Sequence, residues 1–305
     1  MKHTLWDRVR ANRTLLFMIA PATLYFLLFS YVPMAGIVLA FKQYRYDLGI
    51  LHSPWVGFDN FRFFFITGDA FKVTRNTLLY NAAFIVINNV LQIAVAILMA
   101  EVGSKLFRKT AQTLMFLPYF LSWVVVGAVA YNLFNYEHGT INTLLKSLGM
   151  TPLDIYTTSE YWKYILVFFS AWKAVGYGAV FYMASILSID KETYEAAEID
   201  GANVFQRIFF ITLPSLRPTI IILVLLAIGN IFRGDFGLFY QLVGNNGLLY
   251  ESTDVIDTFV YRSLTVNNEI GMSSAIGFYQ SVLCFVTIML TNYIVRKKDK
   301  ENALF

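Results

Sequence analysis

Residues 188–214 read SIDKETYEAAEIDGANVFQRIFFITLP and lie between two apolar runs, 164–187 and 220–232. The local chemistry of this stretch spells two short helices joined by a corner. Asp190 is a good N-cap, its carboxylate able to accept an orphan backbone N–H at the start of 191–200. Gly201 suits the left-handed conformation that stops this helix and turns the chain. Asn203 followed by Gln206 has the pattern of a capping box opening a second helix, which Pro214 and Pro218 are expected to end. Glu195 and Glu198, three apart, share a face, and the small Ala196 and Ala197 beside them let another surface approach. Phe205 and Phe209 share a face of the second helix. Such aromatics fit burial in another protein's groove, or packing of a loop helix under the rest of the chain; on these residues alone both readings stand.

Outward from this stretch the chain is apolar. Of 305 residues, 57% are hydrophobic, 17% aromatic and 14% charged, and the mean hydropathy is +0.55. A soluble domain carries about 25% charged residues, so too little polar surface is left for a water-soluble globule. Six runs approach the roughly 20 residues a bilayer span needs: 15–40, 78–100, 114–134, 164–187, 220–232 and 276–295. The fifth is short unless extended from Leu216 or past Gly234. The first is too long for a signal-peptide core and is read as a retained span. The fold class is therefore all-α and polytopic, one membrane domain over 15–295, with tails at 1–14 and 296–305.

Six spans put both ends on one side. That side, taken as the tails with loops 101–112 and 189–217, carries 14 Lys and Arg against 9 Asp and Glu, a net +5. The opposite loops carry 9 against 11, a net −2, and Lys173 sits within the fourth span. The positive-inside bias puts both termini in the cytoplasm, with Arg8, Arg10, Arg13 and the tail Arg296 to Lys300 as anchors. Trp55, Phe58, Phe61, Phe63, Phe64 and Phe65 in the first outer loop suggest an amphipathic piece at the membrane interface. Cys284 stands alone and His3, His52 and His138 are far apart, so no disulfide framework or metal-ligand cluster is expected. Nothing points to nucleic acid.

Glu195-Ala196-Ala197-x-x-Asp200-Gly201-Ala202, followed by Ile211-x-Leu213-Pro214, resembles the EAA motif of bacterial ABC importer permeases. Phe205-Gln206-Arg207, Leu216-Arg217-Pro218 and the six-span layout resemble the maltose-type branch, carbohydrate uptake transporter family 1. Residues 54–61 and 117–123 resemble the family's first outer loop and third-span entry, and 235–240 with 252–262 are similar to the lipoprotein-associated subgroup that imports complex oligosaccharides. The resemblance implies a type I importer permease fold in the bacterial cell membrane and a non-catalytic subunit. It implies a second permease, expected to be a different chain, two ATPase subunits that bind ATP and Mg, and an extracellular or periplasmic solute-binding protein. No cofactor is expected in this chain, which has no G-x-x-x-x-G-K-[ST] phosphate loop. Residues 190–214 become the coupling loop, with Glu195 as the charge partner of an ATPase arginine and Gly201 as the turn.

Polar residues within spans are candidate functional sites. Trp172, Lys173, Gly176 and Tyr177 in span four, and Asn230, Arg233 and Asp235 at the end of span five, fall where the resemblance places the sugar pathway. Rings stack on sugar faces while amides and charges bond hydroxyls. Lys173 either touches substrate or forms a structural ion pair with Asp235 or the partner permease; if Lys173 and Arg233 both face the cavity unpaired, an acidic oligosaccharide is expected. Asn88 and Gln92, four apart in span two, suit helix–helix hydrogen bonds. The alternatives are a permease for a non-sugar solute and an intramembrane enzyme using Asp235, Asp254 or Asp257, which lack a paired His or metal spacing.

Overall fold

Inside a bilayer an apolar backbone can satisfy its own N–H and C=O groups only as a helix or a closed barrel, and these runs form helices. The computed structural model describes residues 11–298; the anchors Arg8 and Arg10, and the tail from Asp299, lie outside the described residues. Among those described, β pairing amounts to an isolated antiparallel bridge between Lys42 and Trp55. Five helical segments are long and apolar enough to span: α1 (Arg13–Phe41), α3 (Asp69–Glu101), Ser159–Leu187 containing α7 (Trp162–Leu187), α9 (Val204–Gly229) and α12 (Ile270–Lys298, apolar to Lys297). Shorter pieces are α2 (Asp59–Ile66), α4 (Lys105–Phe120), α5 (Trp123–Phe134), α6 (Thr140–Ser147), α8 (Lys191–Ile199), α10 (Phe236–Val243) and α11 (Ile256–Thr265).

Two of the expected spans are built differently. The run 114–134 is not one straight helix: α4 and α5 meet at 93°. Leu121 and Ser122 are extended (ψ 134° and 150°), and the Ser122 hydroxyl accepts the Val125 N–H at 3.3 Å to start α5. Pro118 and a serine N-cap were the local signals of this break, hidden by a run of unbroken hydrophobicity. The fifth span, expected over 220–232, begins at Val204 and runs through both Pro214 and Pro218. A proline ring collides with the carbonyl four residues back. Residues 208–212 widen into a π-turn, with the Leu213 N–H reaching the Ile208 carbonyl, and the helix continues past Pro214. The same device occurs at 27–31, just before Pro33.

The chain forms two compact units: residues up to 67 with 263–279, and 68–262 with the residues from 280 on. In the first, Phe41 packs against Phe58, Phe61 and Phe278 at 5.5–5.7 Å between ring centres. Asn60 there donates to the Ala40 and Lys42 carbonyls, both at 2.9 Å. The interfacial aromatics divide: Phe64 is buried, while Trp55, Phe58, Phe63 and Phe65 stay exposed.

In the second unit α7 is the central post. Asn88 donates to Ser170 Oγ at 3.3 Å and Gln92 to the Ala174 carbonyl at 3.4 Å, the helix–helix use expected of them. A β-carbon on Gly176 would lie 1.8 Å from the Met115 carbonyl oxygen, so glycine is what lets α4 and α7 touch. One apolar core gathers Tyr80, Phe84, Trp162, Leu166, Phe169 and Phe239. Another, toward the far ends of α3 and α7, gathers Ala96, Ala179, Tyr182, Ile186 and Leu216.

Candidate coupling elbow and pathway residues

The elbow forms as its local chemistry dictates. Asp190 accepts the Glu192 N–H at 3.1 Å and opens α8. Gly201 adopts φ +81°. The Ala202 N–H reaches the Ala197 carbonyl at 2.9 Å and the Gly201 N–H the Glu198 carbonyl at 3.1 Å, closing the helix end on itself. Asn203 Oδ1 accepts the Gln206 N–H at 2.9 Å while Gln206 Oε1 accepts the Asn203 N–H at 2.8 Å, a complete capping box that starts α9.

Two side-chain links brace the arms. Arg207 pairs with Glu198 at 3.3 Å, and the Tyr194 and Thr212 hydroxyls meet at 2.9 Å. Glu198 is therefore occupied within the chain, whereas Glu195 is exposed and pairs with no described residue. Ala196 is exposed beside it, Ala197 half-buried, Leu213 half-buried and Pro214 exposed. Phe205 and Phe209 are exposed as expected, but Phe210 (78%) and Ile199 (86%) are more so. A groove of about 350 Å³ runs between the arms, lined by Ala197, Asp200, Gly201, Ala202, Arg207 and Phe210. Reading the helix at four-residue spacing missed Phe210, because the π-turn at 208–212 shifts the faces by a residue. An exposed apolar surface of this kind on an otherwise polar corner suits a partner.

The pathway candidates separate into groups. Trp172 and Tyr177 are partly exposed on α7, and Tyr177 stacks on Tyr119 at 4.2 Å with planes 5° apart. Gly176 is buried under the α4 backbone, which leaves a ligand no room there. Lys173 forms no ion pair with Asp235. Its Nζ donates to the carbonyls of Pro118 (3.3 Å), Tyr119 (2.7 Å) and Leu121. It thus collects the orphan carbonyls where α4 ends, and lies 5.2 Å from the Trp123 ring centre. Asp235 caps α10, accepting the Leu238 N–H at 3.1 Å, and accepts Trp123 Nε1–H at 3.0 Å.

Asn230 turns back to the Leu226 carbonyl at 3.2 Å, and Arg233 is exposed. Between α9 and α10 the backbone is unwound. Asn81 donates to the Ile231 and Arg233 carbonyls, both at 2.9 Å; Gln280 donates to the Phe232 carbonyl at 2.8 Å and to Asp257 Oδ2 at 2.9 Å. The Gly234 N–H donates to the same Asp257 oxygen at 2.6 Å. Burial raises the Asp257 carboxyl above its ordinary range, against the opposing pull of the Gly234 and Gln280 hydrogen bonds. Sequence reasoning missed Asn81 and Gln280; neither is the lone amide of its span, so residue type alone did not single it out. Asp254 is buried and paired with Arg262 at 2.6 Å. Asp254 and Asp257 are thus both held by structural partners.

A many-span helical chain, an unwound segment after α9 held by amide clamps and a braced two-helix elbow suit a membrane permease. Residues 92–300 match the family described as binding-protein-dependent transport system inner membrane component, and the chain belongs to that family. It is 34% identical to Protein LplB of Bacillus subtilis (strain 168), over 96% of this chain and 92% of that protein. It is likewise 34% identical to the polygalacturonan/rhamnogalacturonan transport system permease protein YteP of the same organism, over 95% and 90%. Among solved structures, a chain of a bacterial ABC transporter involved in the import of the acidic polysaccharide alginate superimposes with a TM-score of 0.87 at 31% identity, covering 96% of this chain and 98% of that one.

Proposed function

We propose that this chain is one of two permease subunits in a binding-protein-dependent importer of oligosaccharides, with uronate-containing chains as the favoured cargo. The observation that carries the coupling role is the elbow: a corner braced by the Arg207–Glu198 pair, with Glu195 and a row of phenylalanines exposed. A separate ATPase holds ATP and Mg and grips the elbow, so both chain termini lie in the cytoplasm with it. Closing of the ATPase pair drags two elbows together and rocks the spans between inward- and outward-facing states. ATP does this work by binding the two states unequally. The binding protein delivers cargo to the opposite side, and the second permease is a different chain.

The acidic cargo is supported by the substrates named for YteP and for the alginate transporter. In this chain Arg233 is the exposed cation at the broken segment, beside Asn230; Lys173 is spent on backbone carbonyls and is not the cargo's counter-ion. Trp172 is an exposed ring available for stacking, while Tyr177, also part-exposed, already has one face on Tyr119.

The test is the assembled complex in proteoliposomes with its binding protein. Truncating one partner of an interfacial charge pair removes about 2–5 kcal/mol, so Glu195→Ala lowers ATPase retention on co-purification or abolishes cargo-stimulated hydrolysis. Wild-type assembly and stimulation in Glu195→Ala sink the coupling role. Uptake of neutral oligomers as fast as uronate oligomers sinks the cargo class.

A further inference from the structure

At the ends of α3 and α7 remote from the elbow lies a cleft of about 460 Å³ whose residues the transport reading does not use. Its walls follow helical spacing. Arg75, Leu79 and Ala83 succeed one another at four-residue steps on α3, and Lys163 and Val167 do so on α7. Asn88 faces Ser170 and Gln92 faces Ala174, so the two helices run side by side in one direction, and both start at this end. A cation on each helix thus stands above an apolar floor.

Neither cation is neutralised. Arg75 touches Asn76 Oδ1 at 3.4 Å and lies 6.0 Å from the Phe71 ring centre; Lys163 lies 5.1 Å from the Tyr164 ring centre. One carboxylate, Glu251, also lines the cleft, leaving a net positive charge. A separate observation points the same way. Tyr80 is 7% exposed and lines the cleft, yet its buried hydroxyl has no hydrogen-bond partner. Buried polar groups are nearly always satisfied.

We propose that this cleft binds an anionic phospholipid, whose phosphodiester sits between Arg75 and Lys163 and accepts the Tyr80 O–H, with acyl chains against Leu79, Ala83 and Val167. In the orientation proposed above this end of α3 and α7 faces outward, so the lipid belongs to the outer leaflet, where two cations over an apolar floor match an anionic phosphodiester above its acyl chains. A water-soluble anion leaves the apolar floor unexplained, and a zwitterionic lipid leaves the charge unmatched.

Native mass spectrometry of the assembled transporter, loaded from phosphatidylglycerol or phosphatidylethanolamine, tests it. The expected result is a preference for phosphatidylglycerol of about tenfold or more, lost in Arg75→Gln/Lys163→Gln and reduced in Tyr80→Phe, which keeps the packed ring. Equal retention of the two lipids overturns the proposal, as does unchanged retention in the double variant. So does binding of acyl-free glycerophosphoglycerol as tightly as the lipid. A photoreactive residue at position 79 that captures the second permease instead of lipid also overturns it. If the double variant fails to assemble, Tyr80→Phe and the cross-link decide.

Discussion

A lysine within an apolar helix is tolerated only where something receives its charge, and the exposed carbonyls at the end of α4 receive Lys173. Hydrogen bonds to a charged group contribute about 1.5–3 kcal/mol. Lys173→Met is therefore expected to lower the thermal midpoint of the purified complex, and Lys173→Gln, which can donate to two carbonyls, to restore part of it. The concentration dependence of uptake should stay put in both; a selective loss of cargo affinity in Lys173→Gln would return this residue to the pathway. Asp257 gives a pH signature. Its carboxyl titrates above the ordinary range because it is buried, despite the hydrogen bonds from Gly234 and Gln280. The folded state then holds the proton more tightly than the unfolded chain, so stability falls as pH rises from the ordinary to the raised value. Relative to Asp257→Asn, wild type should gain stability as pH is lowered through that window, read by thermal unfolding in detergent. A constant difference between the two proteins contradicts it.

At the scale of elements, the elbow and the broken span obey opposite logics. The elbow is local: N-cap, left-handed glycine and capping box are all made by residues within four positions of one another, and each was legible in the sequence. Gly201→Val forces a branched side chain into φ +81°, a strain of order 1–3 kcal/mol. It should cut cargo-stimulated ATP hydrolysis while the yield of membrane-inserted chain is retained, measured by comparing both in one preparation. The bend between α4 and α5 is not local. Pro118 and Ser122 permit it, but Lys173, more than 50 residues away, stabilises it. Likewise the unwound segment after α9 depends on Asn81, Asp257 and Gln280, drawn from three other helices. Periodicity and hydropathy cannot foresee a partner supplied by another helix.

At the scale of the whole molecule, the proposed coupling of the elbow to an ATPase and the positive-inside reading both put the elbow on the cytoplasmic side. In a Cys284→Ala background, a cysteine at His138, in the exposed turn between α5 and α6, should react with an impermeant maleimide in intact cells or spheroplasts. One at Thr193 on α8 should react only after the membrane is opened. The reverse pattern would invert the protein and with it the transport scheme.

The amino-acid sequence by itself determined a helical membrane protein and the two-helix corner between its late spans, because cap chemistry acts over one or two turns. It also held the whole EAA pattern. Only the tertiary structure decided that the third span is broken and that the fifth passes through two prolines. It also decided that Glu198 is occupied by Arg207 and that Lys173 donates to the carbonyls where α4 ends. These outcomes depend on which distant group reaches an exposed carbonyl or charge first, and that competition is settled in three dimensions.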